Sequence, residues 1–194
     1  MIDKYFGCIL PEPNSPGTED AELIALCEAL PAAVDAYVNA LKLPEALQEI
    51  WKLVDACNKY IDHTKPWILA KTEEDKQRLG TVLYNLAECL RFIGALLTPF
   101  LTRTAPRLFE QLGVTDESLK TIAGLADFGG LKAGTAVVKG EALFPRIDVK
   151  KELQELEALN TPAEQKSEQS IASAEAEKPA EPEFIEYDDF MKLD

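Results

Sequence analysis

Residues 58–71 read NKYIDHTKPWILAK, and this stretch marks the end of one predicted helix. An apolar-striped helix runs into it, and Pro66 stops that helix because proline lacks a backbone N–H and its ring clashes with the preceding turn. Trp67 follows the break directly. Three cations surround it, at Lys59, Lys65 and Lys71. A tryptophan at such a junction is a candidate platform on which an unpaired nucleobase stacks while its phosphates meet the lysines.

A polar strip on the preceding helix leads towards this junction. Asp55 and Asp62 are seven residues apart and therefore lie almost above one another, with Asn58 and Lys59 between them. Carboxylates accept hydrogen bonds from exocyclic amino groups such as cytosine N4, and they repel phosphate. The strip is therefore a candidate reader of base edges, although solvated helix-face charges would give the same pattern. Likewise, Trp67 could simply close the end of a helical bundle.

Four segments with apolar residues at three-and-four spacing predict an all-α, antiparallel helical bundle with short connections. They cover about 19–42, 44–62, a helix opening at Thr72 and ending near Pro99, and 100–112. Trp51 falls in an apolar stripe and is predicted to be core. The prolines and glycine of residues 1–17 argue against a helix there. Residues 124–147 are predicted to form a loop or small hairpin that is anchored on the bundle by Phe144.

The charge of −14 is unevenly distributed along the 194 residues. Residues 151–194 carry −9, whereas residues 51–107 carry +3, so the Trp67 region is locally basic on an acidic chain. Residues 148–159 predict a short acidic helix. Residues 160–182 hold almost no bulky apolar side chains, which predicts a disordered linker. The last twelve residues, 183–194, become apolar again, which suggests the truncated start of a further module.

Motifs for catalysis or metal binding are not found in the sequence. It contains no Gly-rich phosphate loop or nucleophile elbow, so no catalytic residue is assigned. Cys8, Cys27, Cys57 and Cys89 form no C-x-x-C pair, and His63 is the single histidine. We therefore predict buried, reduced thiols and no metal site. No apolar run reaches the roughly 18 residues of a membrane span, and no signal peptide is recognised, so the expected location is cytoplasmic.

The pattern N-K-Y-I-D-x-x-K-P-W-x-L-A-K resembles the core of the anticodon-binding domain of methionyl-tRNA synthetases. The segments KYFG at 4–7 and LFPRI at 143–147 extend the likeness along nearly the whole chain. The resemblance implies a helical domain of the class I synthetase type over 1–159, without its first helix. It also implies that 183–194 open an OB-fold tRNA-binding module.

The same resemblance suggests roles for residues. It implies that Trp67, with Pro66 before it, stacks on an anticodon base, that Asp55 and Asp62 shape or read the site with Asn58, and that the lysines contact phosphates. The expected partner is a methionine-accepting tRNA, with neither DNA nor membrane. ATP and Mg²⁺ would belong to the parent enzyme's catalytic domain, with no cofactor in this chain, and a homodimer would form only through the C-terminal module.

Two other readings fit much of the sequence. One is a helical protein-docking module with an acidic tail, because the bundle and the linker suit it equally well. The other is the anticodon domain of a synthetase for Leu, Ile or Val, since those enzymes share a helical bundle and a Trp-Ile-Leu run. The Tyr-Ile-Asp and Lys-Pro-Trp context, together with LFPRI, favours methionine.

Overall fold

A computed structural model describes residues 1–160 and shows an all-α protein, as predicted. The α-helices are α1 (Ile2–Phe6), α2 (Thr18–Asn39), α3 (Leu43–Thr64), α4 (Pro66–Leu69), α5 (Lys76–Leu97), α6 (Thr104–Leu112) and α7 (Val149–Asn160). Two 3₁₀-helices cover Glu117–Lys120 and Ile122–Leu125. Apart from its first residue, the predicted linker at 160–182 lies outside the described residues, as does the segment 183–194.

The four predicted helices are present, with small shifts at their ends. Helices α2 and α3 begin and end close to the predicted residues, and Pro31 lies inside α2. Helix α5 begins at Lys76 and not at Thr72, whose hydroxyl instead donates to Asp75 at 2.6 Å in the preceding turn. The short helix α1 contradicts the expectation of an irregular N-terminus, because the prolines that argue against a helix all come after Gly7.

Helix α5 lies at the centre of the unit formed by Met1–Pro145 and packs against α2, α3, α4 and α6. Within the described residues it is the one helix long and apolar enough to cross a membrane, and 89% of the relevant window is buried in the bundle. A core helix has these properties for a different reason, since it must present apolar side chains to neighbours on all sides.

Loop 115–147 is held by buried polar contacts and two buried leucines. Glu88 and Arg91 of α5 are both fully buried and form an ion pair at 2.6 Å. Glu88 accepts the backbone N–H groups of residues 129–131, and Arg91 donates to the carbonyls of Leu119 and Gly124. Arg91 is therefore not available to contact a ligand at the surface.

The prediction that Phe144 anchors this loop on the bundle is wrong. Phe144 is 73% exposed, whereas Leu125 and Leu131 are 1% and 3% exposed and attach the loop to the core. The loop forms no hairpin of its own within the described residues. Instead it makes one isolated antiparallel bridge, between Ile9 and Ala136.

The segment from Arg146 onwards is a separate unit. Its described part contains α7, which confirms the helix predicted at 148–159. Lys151 and Glu155 are one turn apart on it, with Nζ and Oε1 separated by 3.7 Å. Both side chains are exposed, so this pair contributes little to stability.

Candidate nucleic-acid interface

The break between α3 and α4 is built by two unusual backbone positions. Lys65 adopts the left-handed conformation, with φ 45° and ψ 60°, and ends α3 by donating its N–H to the carbonyl of Ile61 at 2.9 Å. Pro66 then opens α4 at a position where its missing N–H costs nothing. The Pro66 side chain is fully buried, so it fixes the turn and offers no surface for contact.

Trp67 lies just past this buried proline and is 49% exposed. No ring contact, cation–π contact or hydrogen bond of its indole is present among residues 1–160. At this exposure the indole is not sealed inside the bundle, although about half of its surface is covered by protein. About half of the Trp67 surface is therefore open to solvent.

The other predicted site residues are exposed as well and lack partners. Within the described part of the chain, no side-chain hydrogen bond or ion pair engages any of them: Asp55, Asn58, Lys59, Asp62, Lys65 and Lys71. Many other surface charges do pair, such as Lys52 with Glu49 at 2.7 Å. These charged and polar groups are therefore exposed to solvent and unpaired within the described residues.

Asn58 and Lys59 lie on opposite flanks of the polar strip. Lys59 borders a shallow pocket with Glu19 and Glu22 of α2, together with His63. Asn58 borders an apolar groove between α3, α5 and α6, with a volume of about 400 Å³. Asp55 and Asp62 are exposed between these two flanks.

Trp51 is 48% exposed on the wall of the apolar groove, so the prediction that it is core is wrong. Its apolar neighbours in the stripe, Val54, Cys57 and Ile61, line the same groove. The sequence does contain a signal of this exposure. Trp51 precedes Asp55 by four residues and Asn58 by seven, which places it on the polar strip's side of α3.

A buried hydrogen-bond network fixes the end of α3, and it was not predicted from the sequence. The carboxylate of Asp20 accepts two bonds from Arg78, each of 2.7 Å, and one from the Tyr60 hydroxyl at 2.7 Å. Asn85 donates to the Tyr60 oxygen at 3.3 Å. The Tyr60 carbonyl in turn accepts the Thr64 hydroxyl at 2.7 Å, one residue before Lys65. Tyr60 is 4% exposed and therefore serves packing within the bundle.

Burial is the largest influence on the Asp20 pKa and raises it, but the bonds from Arg78, the Gly17 N–H and Tyr60 prevail and hold the pKa below its usual value. Burial, helped by the bond to Asp20, raises the pKa of the Tyr60 hydroxyl. The network is therefore charged on Asp20 and Arg78 and neutral on Tyr60 at neutral pH.

The four cysteine thiols are free, but the interpretation that they are buried holds for only two of them. Cys27 and Cys89 are buried, while Cys8 and Cys57 are partly exposed. Within residues 1–160, no group of three or more His, Cys, Asp or Glu side chains is arranged to hold a metal ion.

Comparison with known proteins identifies the domain type. Residues 10–159 match the model of the anticodon binding domain of methionyl tRNA ligase. The whole chain aligns with methionine–tRNA ligases of Caldanaerobacter subterraneus subsp. tengcongensis, at 50% identity over 193 residues, and of Clostridium perfringens, at 47% over 195 residues. It spans only 28% and 29% of the lengths of those two relatives.

A solved structure of a methionyl-tRNA synthetase also matches this chain. The methionyl-tRNA synthetase of Mycobacterium tuberculosis, in complex with methionyl-adenylate, superimposes with a TM-score of 0.70 at 29% identity. The match covers 75% of this chain and 28% of that one. The alternative of a synthetase for Leu, Ile or Val is therefore wrong.

Proposed function

Because the chain belongs to the family of anticodon-binding domains of methionyl-tRNA ligase, we propose that it reads the anticodon loop of a methionine-accepting tRNA for such a ligase. The ATP-dependent joining of methionine to tRNA would take place in a part of the ligase outside this chain, where ATP and Mg²⁺ would bind. The adenylate in the Mycobacterium tuberculosis structure supports the use of ATP.

The central step of recognition is stacking of an anticodon base on Trp67. The observation that carries it is the half-exposed indole at a break that Lys65 and the buried Pro66 fix in place. Because the ring has no partner among the described residues, a base can cover it without displacing a protein contact. Base–aromatic stacking contributes about 1–3 kcal/mol per base.

Stacking alone does not identify a base, since every base has a π-face. Asp55, Asn58 and Asp62 supply acceptors and an amide for hydrogen bonds to a base edge, as a carboxylate does to cytosine N4. Their negative charge also disfavours an approach by phosphate. Lys59, Lys65 and Lys71 are exposed and unpaired within residues 1–160, and they would hold the phosphates around the stacked base.

Contacts with the anticodon would change the rate of aminoacylation in the distant catalytic part of the ligase. A correct anticodon fixes the tRNA so that its acceptor end reaches the catalytic part of the ligase in a productive orientation. An incorrect loop loses the stack or the edge contacts, and the rate for that tRNA falls. The alternative of a protein-docking module lacks an explanation for the unpaired groups around Trp67.

Trp67→Ala is expected to weaken binding of a stem-loop with the methionine anticodon by about 5- to 150-fold, the equivalent of losing one stacked base. A stem-loop with altered loop bases lacks the edge contacts that seat its base on the indole, so it should lose much less affinity, and discrimination between the two RNAs falls. Fluorescence anisotropy with the 194-residue chain measures both affinities. The same substitution in a full-length ligase should lower kcat/KM for aminoacylation.

Trp51→Ala is the matched control, because it removes an equally exposed indole from the middle of α3, sixteen residues before Trp67. Trp67→Phe keeps an aromatic ring and should restore part of the lost affinity. If Trp67→Ala and Trp51→Ala bind the two stem-loops with the wild-type ratio of affinities, the stacking proposal is wrong.

A further inference from the structure

Another cleft, distinct from the apolar groove and the shallow pocket, lies next to the Trp67 junction, between α1 and the start of α5. It has a volume of about 250 Å³. Its walls include the end of α4 and residues far apart in sequence: Lys4, Tyr5, Leu69, Thr72, Glu73 and Lys76. Helix α4 is four residues long and therefore spans about 6 Å, so the cleft begins roughly one helical turn from Trp67.

Lys4 is an available cation in this cleft. Its Nζ lies 5.0 Å from the centroid of the Tyr5 ring, and it forms no ion pair with any carboxylate of the described residues. The neighbouring Asp3 pairs with Lys139 at 3.3 Å and so does not neutralise Lys4. The Tyr5 hydroxyl has no hydrogen-bond partner within residues 1–160, which leaves a second donor free.

Lys76 adds a second cation, but it is not free. Its Nζ lies 3.1 Å from Oε2 of Glu73, in a pair whose side chains are 46% and 86% exposed. Exposed pairs of this kind are weak, so Lys76 can exchange Glu73 for another anion at little cost. Glu73 is also the one carboxylate that lines the cleft, and it opposes the entry of an anion.

We propose that this cleft binds a backbone phosphate of the RNA strand whose loop base stacks on Trp67, with Lys4, Tyr5 and Lys76 as donors. The proposal rests on the proposed function, and it adds a backbone contact to the base contact. Phosphate contacts fix the register of a nucleic acid on a protein without reading its sequence. Lys4 would therefore set where the strand lies, while Trp67 and the polar strip select the base.

The test uses the 194-residue chain and the two stem-loops, with the methionine anticodon and with altered loop bases. Lys4→Gln should weaken binding of both RNAs by the same factor, about 3- to 10-fold at low salt, and should leave their ratio unchanged. It should also reduce the slope of log K against log salt by about 0.7–0.9, as one lost phosphate contact requires. Glu73→Gln should act in the opposite direction and strengthen binding of both.

Lys42→Gln is the matched control, because Lys42 is exposed, unpaired in the described residues and at the far end of α3. One outcome is that Lys4→Gln and Glu73→Gln change the affinities for the two stem-loops no more than Lys42→Gln does, while Trp67→Ala still reduces discrimination. In that case the proposed phosphate site is wrong and the proposed function stands. If the wild-type chain binds the two stem-loops equally, the proposed function fails, and the phosphate site fails with it.

Discussion

Replacing Arg91 with methionine is expected to lower the free energy of unfolding by about 3–5 kcal/mol. Arg91 and Glu88 are both fully buried, with Nη2 and Oε1 only 2.6 Å apart. Without the guanidinium, the Glu88 carboxylate stays in the core without a counter-ion. The carbonyls of Leu119 and Gly124 also lose their donor, so the loop loosens from α5. Unfolding in urea, with midpoint and slope fitted together, measures the loss.

Arg107→Met is the control for the removal of an arginine charge. Arg107 is 47% exposed, and its nearest carboxylate, on Glu141, lies 3.7 Å away and is 94% exposed. A solvated pair of this kind contributes less than about 1 kcal/mol. A loss for Arg91→Met that is no larger than the loss for Arg107→Met would show that the buried pair does not hold the loop.

A double variant separates the ion pair from the backbone contacts. Glu88→Leu combined with Arg91→Met removes both charges, and the two substitutions should be coupled by about 2–3 kcal/mol because they are in direct contact. The double variant should nevertheless remain less stable than wild type. The N–H groups of residues 129–131 lose the Glu88 oxygens that accept them at 2.8–3.1 Å.

Most helices of this fold are predictable from sequence, because each carries an apolar stripe at helical spacing. The end of a helix is also predictable where a proline terminates it. Helix α3 ends at Thr64, and Pro66 begins α4. The loop at 115–147 is different, since its position depends on Glu88 and Arg91. A Glu and an Arg three residues apart on a helix are usually solvated, and only the packing around α5 shows that these two are buried.

The candidate site is predictable to a similar extent. Trp67, Asp55 and Asp62 are exposed, as a recognition surface requires, and the prediction of their roles remains to be tested. The prediction for Trp51 is wrong because it follows the apolar stripe alone and leaves out the spacing to Asp55 and Asn58, which places Trp51 on the polar side of α3. The cleft of Lys4 and Lys76 could not be found from sequence, since 72 positions separate residues that only the tertiary fold brings together.

Replacing Asp20 with asparagine is expected to lower the free energy of unfolding by about 2–4 kcal/mol at pH 7. Asp20 is 4% exposed and joins α2 to α3 and α5 through Tyr60 and Arg78. Asparagine keeps the shape but removes the charge, so the guanidinium of Arg78, whose side chain is 18% exposed, loses its buried counter-ion and keeps only the partly exposed Glu19 at 3.6 Å. Urea unfolding at a series of pH values measures the effect.

The pH dependence identifies the cause. The folded-state pKa of Asp20 lies below its ordinary value of 3.8, so its contribution to stability is complete above that pH and is lost as the pH falls through the folded-state pKa. The difference between wild type and Asp20→Asn should therefore be constant from about pH 6 to pH 8 and should shrink below about pH 4. An unchanged difference at pH 3 would exclude the charged network as its source.

Asp116→Asn is the control, because the Ser118 hydroxyl and N–H also lower the pKa of Asp116, yet its carboxylate is exposed and joins no other helix. The Thr64 hydroxyl, which donates to the Tyr60 carbonyl, lies one residue before Lys65, so the network is also expected to hold the turn that presents Trp67. Asp20→Asn should therefore reduce discrimination between the two stem-loops at pH 7, whereas Asp116→Asn should not. Full discrimination by a folded Asp20→Asn chain would mean that Lys65 and Pro66 alone orient the indole.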